Sequence, residues 1–433
     1  MSDTIGAAKS SLLTRMGQTM NPGLARTFGF MGLDQPEVHA SGSWVEDASG
    51  ARFLDLSSGY GVHIAGYMHP RLVEVAVGTL THGMALSSRV LLSEPAIRLA
   101  EHLRDLTPGD LTFSFFVNSG AEAVEAALKF ARISTGKSRI VATVGAFHGK
   151  TMGALSVSGR EVYRRPFEPL LPDVVHVPFG DADALANAVT DETAAVIVEP
   201  IQGEGGVIVP PEGYLTRVRQ ICDRYGARMI ADEVQTGLGR TGHLWAVEHE
   251  GVVPDYLCAA KGLGGGLVPI GAVVGRPDAM AFFDTMPLIH TSTFGGGPLA
   301  ATVAVATLEL ITEERLPDRA RRLGARAKER LEAIQVAYPN VIGAVRGRGL
   351  MLGIEMRGEG LAGMVMAGLF RRHVLAVHTL NNERVLRFLP PLVIGEDDLA
   401  LGLDAIEDAV RETAPLADEF TTDALDPEGA SDA

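Results

Sequence analysis

Cysteine is almost absent from this chain. Cys222 and Cys258, alone in 433 residues, cannot build a disulfide framework or a four-thiolate metal site, and both read as small buried hydrophobes of a reducing compartment. Positive charge is in deficit: 38 Lys and Arg against 53 Asp and Glu leave a net charge of −15. A surface of that sign repels phosphate backbones and anionic bilayers, so neither a nucleic acid nor a membrane is expected as a partner. No stretch reaches the ~18 uninterrupted apolar residues of a membrane span. The first twenty residues also lack the apolar core of a signal peptide, and the expected location is cytoplasmic. His63, His69 and His290 show no metal-ligand spacing, and no metal is expected. Lysine is scarce too. Of Lys9, Lys129, Lys137, Lys150, Lys261 and Lys328, most sit in polar or helical surroundings, whereas Lys261 follows an apolar approach at 256–260 and precedes Gly264, Gly265 and Gly266.

What is present is an ordinary globular composition, 46% apolar and 21% charged, in a chain longer than one hydrophobic core usually serves. Two domains, or one large α/β unit with an appendage, are expected. Residues 1–36 read as an irregular arm. Two short strands at 42–46 and 52–56 flank the turn Asp47-Ala48-Ser49-Gly50. Helical period follows at 69–83 and 94–106. Strands then read at 112–117, 139–143, 174–177, 194–199, 228–232 and 256–259, with helices at 121–135, 183–189 and 211–225. Continuous Val/Ile runs separated by helices predict a mostly parallel sheet covered on both faces. After a helix at 298–313 the character changes. A long charged helix (319–337), strands within 344–356, a helix at 364–373 and a strand at 385–389 predict a smaller α+β domain. Residues 416–433 read as an acidic, frayed tail.

The stretch 228–266 concentrates the chemistry, and two glycine patterns compete to define it. Gly237-Leu238-Gly239-Arg240-Thr241-Gly242 matches a dinucleotide fingerprint, but four residues separate it from the preceding strand and His243-Leu244-Trp245 is a poor helix start. Gly145 to Thr151 imitates a phosphate-binding loop, yet three residues lie between its glycines where that loop needs four.

A third reading uses all the pieces. A lysine that forms an imine with a carbonyl cofactor needs an apolar seat, which Lys261 has. Pyridoxal phosphate also needs a carboxylate on its pyridine nitrogen, and Asp232 ends a buried strand one element earlier. Phe147, after its own strand, offers a flat cover for the ring. Asn118-Ser119-Gly120-Ala121-Glu122 ends a strand and opens an Ala-rich helix, as a phosphate site requires. All fall at C-terminal strand ends, where open α/β sheets bind ligands. Each residue has a plainer role beside this one. Asp232 could be a cap, Arg387 a surface strand charge, Glu204 a solvated loop acid and Tyr60 a packing residue.

From about Glu37 to Leu403 the chain resembles the class III (ω-amino) pyridoxal-phosphate aminotransferases of fold type I. The motifs NSGAEA, AFHGKT, VEPIQGEGG, ADEVQTGLGRTG, AAKGLGGG, TSTFGGGPL and RFLPPL carry the resemblance, in family order. It implies a Schiff-base and proton-shuttling role for Lys261, a pyridine-nitrogen partner in Asp232, and a ring-oxygen contact from Gln235. Phe147 would stack on the ring with His148 beside it, and Ser119, Gly120 and Ala121 would bind the phosphate. Thr293 would reach the phosphate of a partner subunit's cofactor, making the active unit a homodimer. Arg387 would hold the carboxylate of an amino-acid or 2-oxo-acid substrate. Glu204 would cover Arg387 when the other substrate is bound, and Glu199 would support the Asp232 region. The resemblance also implies a division into 1–60 (arm and part of the small domain), 61–318 (large cofactor domain), 319–415 (small domain) and 416–433 (tail). A non-catalytic cofactor-binding protein would retain the cofactor residues and lose Glu204 and Arg387.

Departures from the family pattern bear on the substrate. Ala121 stands where many relatives have threonine, Tyr67 where a histidine is usual, and Gly297 where asparagine is common. Lys150 stands where ornithine and acetylornithine enzymes place an arginine for the substrate carboxylate, and an ammonium lacks the bidentate fork. Within the family the chain resembles the putrescine aminotransferases through FHGKT-GALS, RRPFEPLLPDVVHVPFG and Thr379-Leu380-Asn381-Asn382. That implies transamination of a terminal amine to an aldehyde with 2-oxoglutarate or pyruvate as acceptor, and substrate contacts from Glu204, Arg387, Tyr60 and Lys150. The alternatives are acetylornithine or ornithine aminotransferase, and an enzyme that aminates an aldehyde of secondary metabolism.

Overall fold

The computed structural model describes residues 12–84, 87 and 91–420. Strands β1 (Glu37–Ser41), β2 (Trp44–Asp47) and β3 (Arg52–Asp55) open the chain as an antiparallel set. Seven strands then build the central sheet: β4 (Phe113–Val117), β5 (Arg139–Thr143), β6 (Val174–Val177), β7 (Thr193–Val198), β8 (Arg228–Asp232), β9 (Tyr256–Ala259) and β10 (Gly271–Gly275). Their order is β4-β10-β9-β8-β7-β5-β6. Neighbours run parallel from β9 to β6, while β10 runs antiparallel to both β9 and β4. The expected α/β class, a mostly parallel sheet flanked by helices, is what the chain forms. The β7 run TAAVIV is buried at every position, as a strand covered on both faces must be.

A third sheet, in the order β11-β12-β15-β14, joins β11 (Ile342–Arg348), β12 (Met351–Met356), β14 (Val377–His378) and β15 (Val385–Phe388). The two-residue β13 (Val374–Leu375) pairs parallel with β3, tying the N-terminal strands to the C-terminal part of the chain. Among the described residues no helix is long and apolar enough to cross a membrane.

Two expectations need correction. The arm at 1–36 is not irregular where it is described: residues 12–19 and Pro22–Phe30 are helical. Asn21 caps the second helix by accepting from the Leu24 N–H at 3.0 Å, with Pro22 at the first helical position, a start signal that the glycines and methionines around it mask. At the other end, Ala417–Phe420 is a short helix whose Phe420 ring packs over Gly360; residues 421–433 lie outside the described part. The strand β10 (GAVVG) went unread because it is short and bounded by glycines.

This topology decides where chemistry collects. Strands β4, β5, β7, β8 and β9 all point the same way, β4 because it is two antiparallel steps from β9. The loops after them therefore emerge along one edge of the sheet, where α/β proteins bind ligands.

Candidate active site

Three loops meet over that edge, and glycines let them touch. The helix Gly120–Thr135 starts directly after β4, with Ser119 as its cap accepting from the Glu122 N–H at 3.2 Å and Glu122 reaching back to the Asn118 N–H at 2.5 Å. A reciprocal cap of this kind leaves the first-turn N–H groups of Gly120 and Ala121 without intrahelical partners. A Cβ on Gly120 would lie 2.9 Å from Val234, and one on Gly149 2.6 Å from the Ala121 Cβ. Gly149 is also at φ +122°, a conformation closed to other residues. The helix-opening turn at 118–122 is thus held between the loop after β8 and the loop after β5.

Between these loops lies a cavity of about 230 Å³, lined among others by Phe147, His148, Asp232, Gln235 and Lys261. Lys261 opens a 3₁₀ turn at φ +45°, a left-handed conformation that non-glycine residues seldom adopt. Burial lowers its amine below the ordinary lysine range against the pull of Glu204, and Arg387 adds to the fall. Asp232 is buried at the end of β8. Its Oδ2 lies 2.7 Å from His148 Nδ1, and its Oδ1 accepts from the Val234 N–H at 3.1 Å. Burial alone would depress the imidazole, but the hydrogen bond and charge of Asp232, with Glu199 behind them, raise it. His148 Nε2 is buried without a partner. Glu199 accepts from the N–H groups of Phe147 and Gly203, both at 3.0 Å, so it anchors the Phe147 loop. Burial pushes its carboxyl up to about 7.

Arg387 and Glu204 are not surface charges. Their side chains are 1% and 6% exposed, and the guanidinium grips the carboxylate through both oxygens, at 2.7 and 2.6 Å. Arg387 also donates to the His378 carbonyl at 2.9 Å, and Glu204 accepts from the Leu380 N–H at 2.9 Å and from Gln235 Nε2 at 3.3 Å. Burial opposes ionisation of Glu204, yet Arg387 holds its carboxyl below the usual range. Tyr60, half exposed at φ +63°, lays its ring 4.8 Å from the guanidinium. Gly203 has no room for a side chain: its Cβ would fall 1.8 Å from Gln235 Oε1.

Two expected site residues stand apart. Lys150 is exposed and rests 4.1 Å above the Tyr163 ring, away from the cavity lining. Thr293 is exposed on the loop after residue 290, and its carbonyl accepts from Ser87 at 2.7 Å. Ser292 beside it accepts from Asn118 at 3.3 Å, so this loop borders the turn at 118–122. The sequence offered Leu380 and Asn381 only as part of a shared motif, without their contacts to Glu204, which are made by backbone groups. The glycine-rich 237–242 stretch forms turns and then a 3₁₀ segment, so no helix N-terminus follows it for a dinucleotide.

The residues present suit a planar aromatic aldehyde bearing a phosphate. The first residues of a helix, a buried carboxylate at a strand end, the aromatic ring of Phe147 and the amine of Lys261, of depressed basicity, all line one cavity.

Comparison with known proteins agrees with this. The family described as "Aminotransferase class-III" matches residues 35–410. An ornithine aminotransferase structure from Toxoplasma gondii is 33% identical, with a TM-score of 0.84 over 88% of this chain and 92% of that one. A second structure of that enzyme, with partial occupancy of its pyridoxal phosphate, gives 32% identity and 0.83 over 89% and 92%. A transaminase from the marine bacterium Virgibacillus is 28% identical, with 0.84 over 88% and 94%.

Proposed function

The chain belongs to the class III aminotransferases, enzymes of pyridoxal phosphate, and on that premise we propose that it transfers the terminal amino group of a diamine such as putrescine to 2-oxoglutarate or pyruvate, releasing an aldehyde. The observation that carries this reading is the closed Glu204–Arg387 pair. With Arg387 neutralised and Lys150 seated on Tyr163, the cavity favours a donor amine that has no carboxylate to satisfy. An α-amino acid would need one of these groups released.

Pyridoxal phosphate, when bound, supplies a carbonyl for exchange with amines and a ring that takes up the electrons of a broken C–H bond. The remaining work falls to this chain. Lys261, its basicity lowered by burial, offers an amine that gives up its proton more readily than an ordinary lysine. It can act as nucleophile, take a proton from the substrate carbon and return it from the same Nζ. Asp232 is fixed in place by His148 and the Val234 N–H and would hold the pyridine N–H. Ser119, Gly120 and Ala121 would bind the phosphate, with one hydroxyl fewer than a threonine at 121 would give. Gln235 would meet the ring oxygen and Phe147 would cover the ring. In the second half-reaction Glu204 leaves Arg387, and the 2-oxo acid's carboxylate takes its place with two equivalent hydrogen bonds.

The working unit in this reading is a homodimer, with Thr293 serving the partner's phosphate site. Leu288 and Phe294 flank Thr293 at 81% and 60% exposure, the apolar surface that a second copy would cover. The likeness to ornithine aminotransferases favours a second reading, since the δ-amine of ornithine is also terminal. Single-turnover absorbance changes with putrescine, ornithine, acetylornithine and 4-aminobutyrate separate the two. Fastest reaction with putrescine is expected; fastest reaction with an amine that carries an α-carboxylate overturns the diamine assignment.

A further inference from the structure

The gate formed by Glu204 and Arg387 is itself held shut from behind. Peptide groups are planar and trans, so the C=O of Leu380 and the N–H of Asn381 point to opposite sides of one plane. On one side the Leu380 carbonyl accepts from Arg160 Nη1 and from the Tyr163 hydroxyl, the latter at 3.1 Å. On the other the Asn381 N–H donates to the main-chain carbonyl of Glu204 at 2.9 Å. One residue earlier, the Leu380 N–H donates to the Glu204 carboxylate, also at 2.9 Å. The Asn381 side chain donates to the Gly145 carbonyl at 2.9 Å, and the cation–ring stacking of Lys150 and Arg160 on Tyr163, at 4.1 and 5.3 Å, fixes that ring. Residues 379–382 therefore bridge the loops at 145–150 and 203–206 and the start of the short helix Glu161–Arg164.

A cationic donor on a peptide carbonyl polarises the same peptide's N–H, so Arg160 strengthens the Asn381 hold on Glu204. We propose that Arg160 and Tyr163 are positioning residues that act through the Leu380–Asn381 peptide as a latch on Glu204, setting how readily Arg387 is released to a carboxylate substrate. This inference rests on the gate described above. Neither residue lines the cofactor cavity, so neither is assigned a part in bond making. The latch makes the closed, carboxylate-free site the resting state and makes discrimination against α-amino acids tunable at a distance from Lys261. A substrate that binds only the open gate has its apparent affinity reduced by the open fraction, and loosening the latch raises that fraction.

The test uses the holoenzyme carrying Tyr163→Phe, which keeps the ring and removes the hydroxyl, Arg160→Met, and the conservative Arg160→Lys. The KM for 2-oxoglutarate is expected to fall about fivefold in Tyr163→Phe and Arg160→Met, the size of one net hydrogen bond. The rate of the putrescine half-reaction stays unchanged, L-glutamate gains as a donor by a similar factor, and Arg160→Lys recovers part of the wild-type KM. Where Arg160→Met does not fold, Tyr163→Phe and Arg160→Lys carry the comparison. Glu204→Gln is the reference. If it shifts the 2-oxoglutarate KM while the latch variants do not, the latch is wrong and the gate stands. If Glu204→Gln leaves that KM unmoved, the gate reading fails and takes the latch with it.

Discussion

Replacing Glu204 with glutamine is the sharpest perturbation of substrate selection, because it keeps shape and removes charge. The Glu204 carboxylate accepts four hydrogen bonds in the closed state: two from Arg387 at 2.7 and 2.6 Å, one from the Leu380 N–H at 2.9 Å and one from Gln235 at 3.3 Å. The Arg387 pair dominates, since it joins a guanidinium to a carboxylate through two bonds in a nearly dry place, with side chains 1% and 6% exposed. A carboxamide can accept through one oxygen only and carries no charge. The closed state should therefore lose about 1.5–3 kcal/mol, the net worth of a charge-assisted bond, and the 2-oxo acid's KM should fall about ten- to one-hundred-and-fifty-fold. The assay is the second half-reaction alone: the aminated enzyme is mixed with 2-oxoglutarate, and the absorbance change is followed as a function of acid concentration. The same substitution leaves the Arg387 cation buried and unpaired, so the variant should also melt earlier than wild type. An unchanged or higher KM in a protein that has lost stability would refute the gate, because the pair would then be structural only.

Other outcomes follow from the same geometry. Gly149→Ala combines a left-handed backbone at φ +122° with a contact of 2.6 Å to Ala121, and should weaken cofactor binding by about tenfold or more, read by absorbance titration with pyridoxal phosphate. Retained affinity would show that the phosphate turn is free to move. Glu233, held up at about 7 by burial, binds a proton in the folded state that the unfolded chain has already released above pH 4.5 or so. Stability contributed by that proton is present below the unfolded value and is lost as pH rises towards about 7, at up to about 1.4 kcal/mol per pH unit. Glu233→Gln should abolish that part of the slope when unfolding is compared at pH 5 and 7.5. Parallel curves for the two proteins would mean that Glu233 is ionised throughout.

The convergence of Asp232, the Ser119 turn and Lys261 on one sheet edge was legible in the sequence because each has a local signature. Asp232 ends an apolar run, Ser119 opens an alanine-rich helix, and Lys261 sits between apolar residues and glycines, so residue type and position in a βα succession point to one edge of a sheet. The burial of Arg387 and Glu204 was not legible from their neighbours. It arises from a strand 183 residues away in the chain meeting a glycine-rich loop. The 379–382 motif was visible but its hold on Glu204 was not, because Leu380 and Asn381 make those contacts through backbone groups, which every residue type has. Lys150 shows the reverse case. Its motif suggests a substrate contact, whereas a neighbouring ring, Tyr163, takes the ammonium instead. The strand β10 and the helix Pro22–Phe30 were lost to glycines that obscured short elements.

The central claim is that amine transfer runs through the Lys261 amine. Purified Lys261→Ala should still bind pyridoxal phosphate at the Ser119–Ala121 turn, yet turn over putrescine with 2-oxoglutarate at least about a thousandfold more slowly than wild type, as loss of an acid–base group that is also the nucleophile requires. Steady-state turnover within about tenfold of wild type would contradict it, and would move the chemistry to another residue.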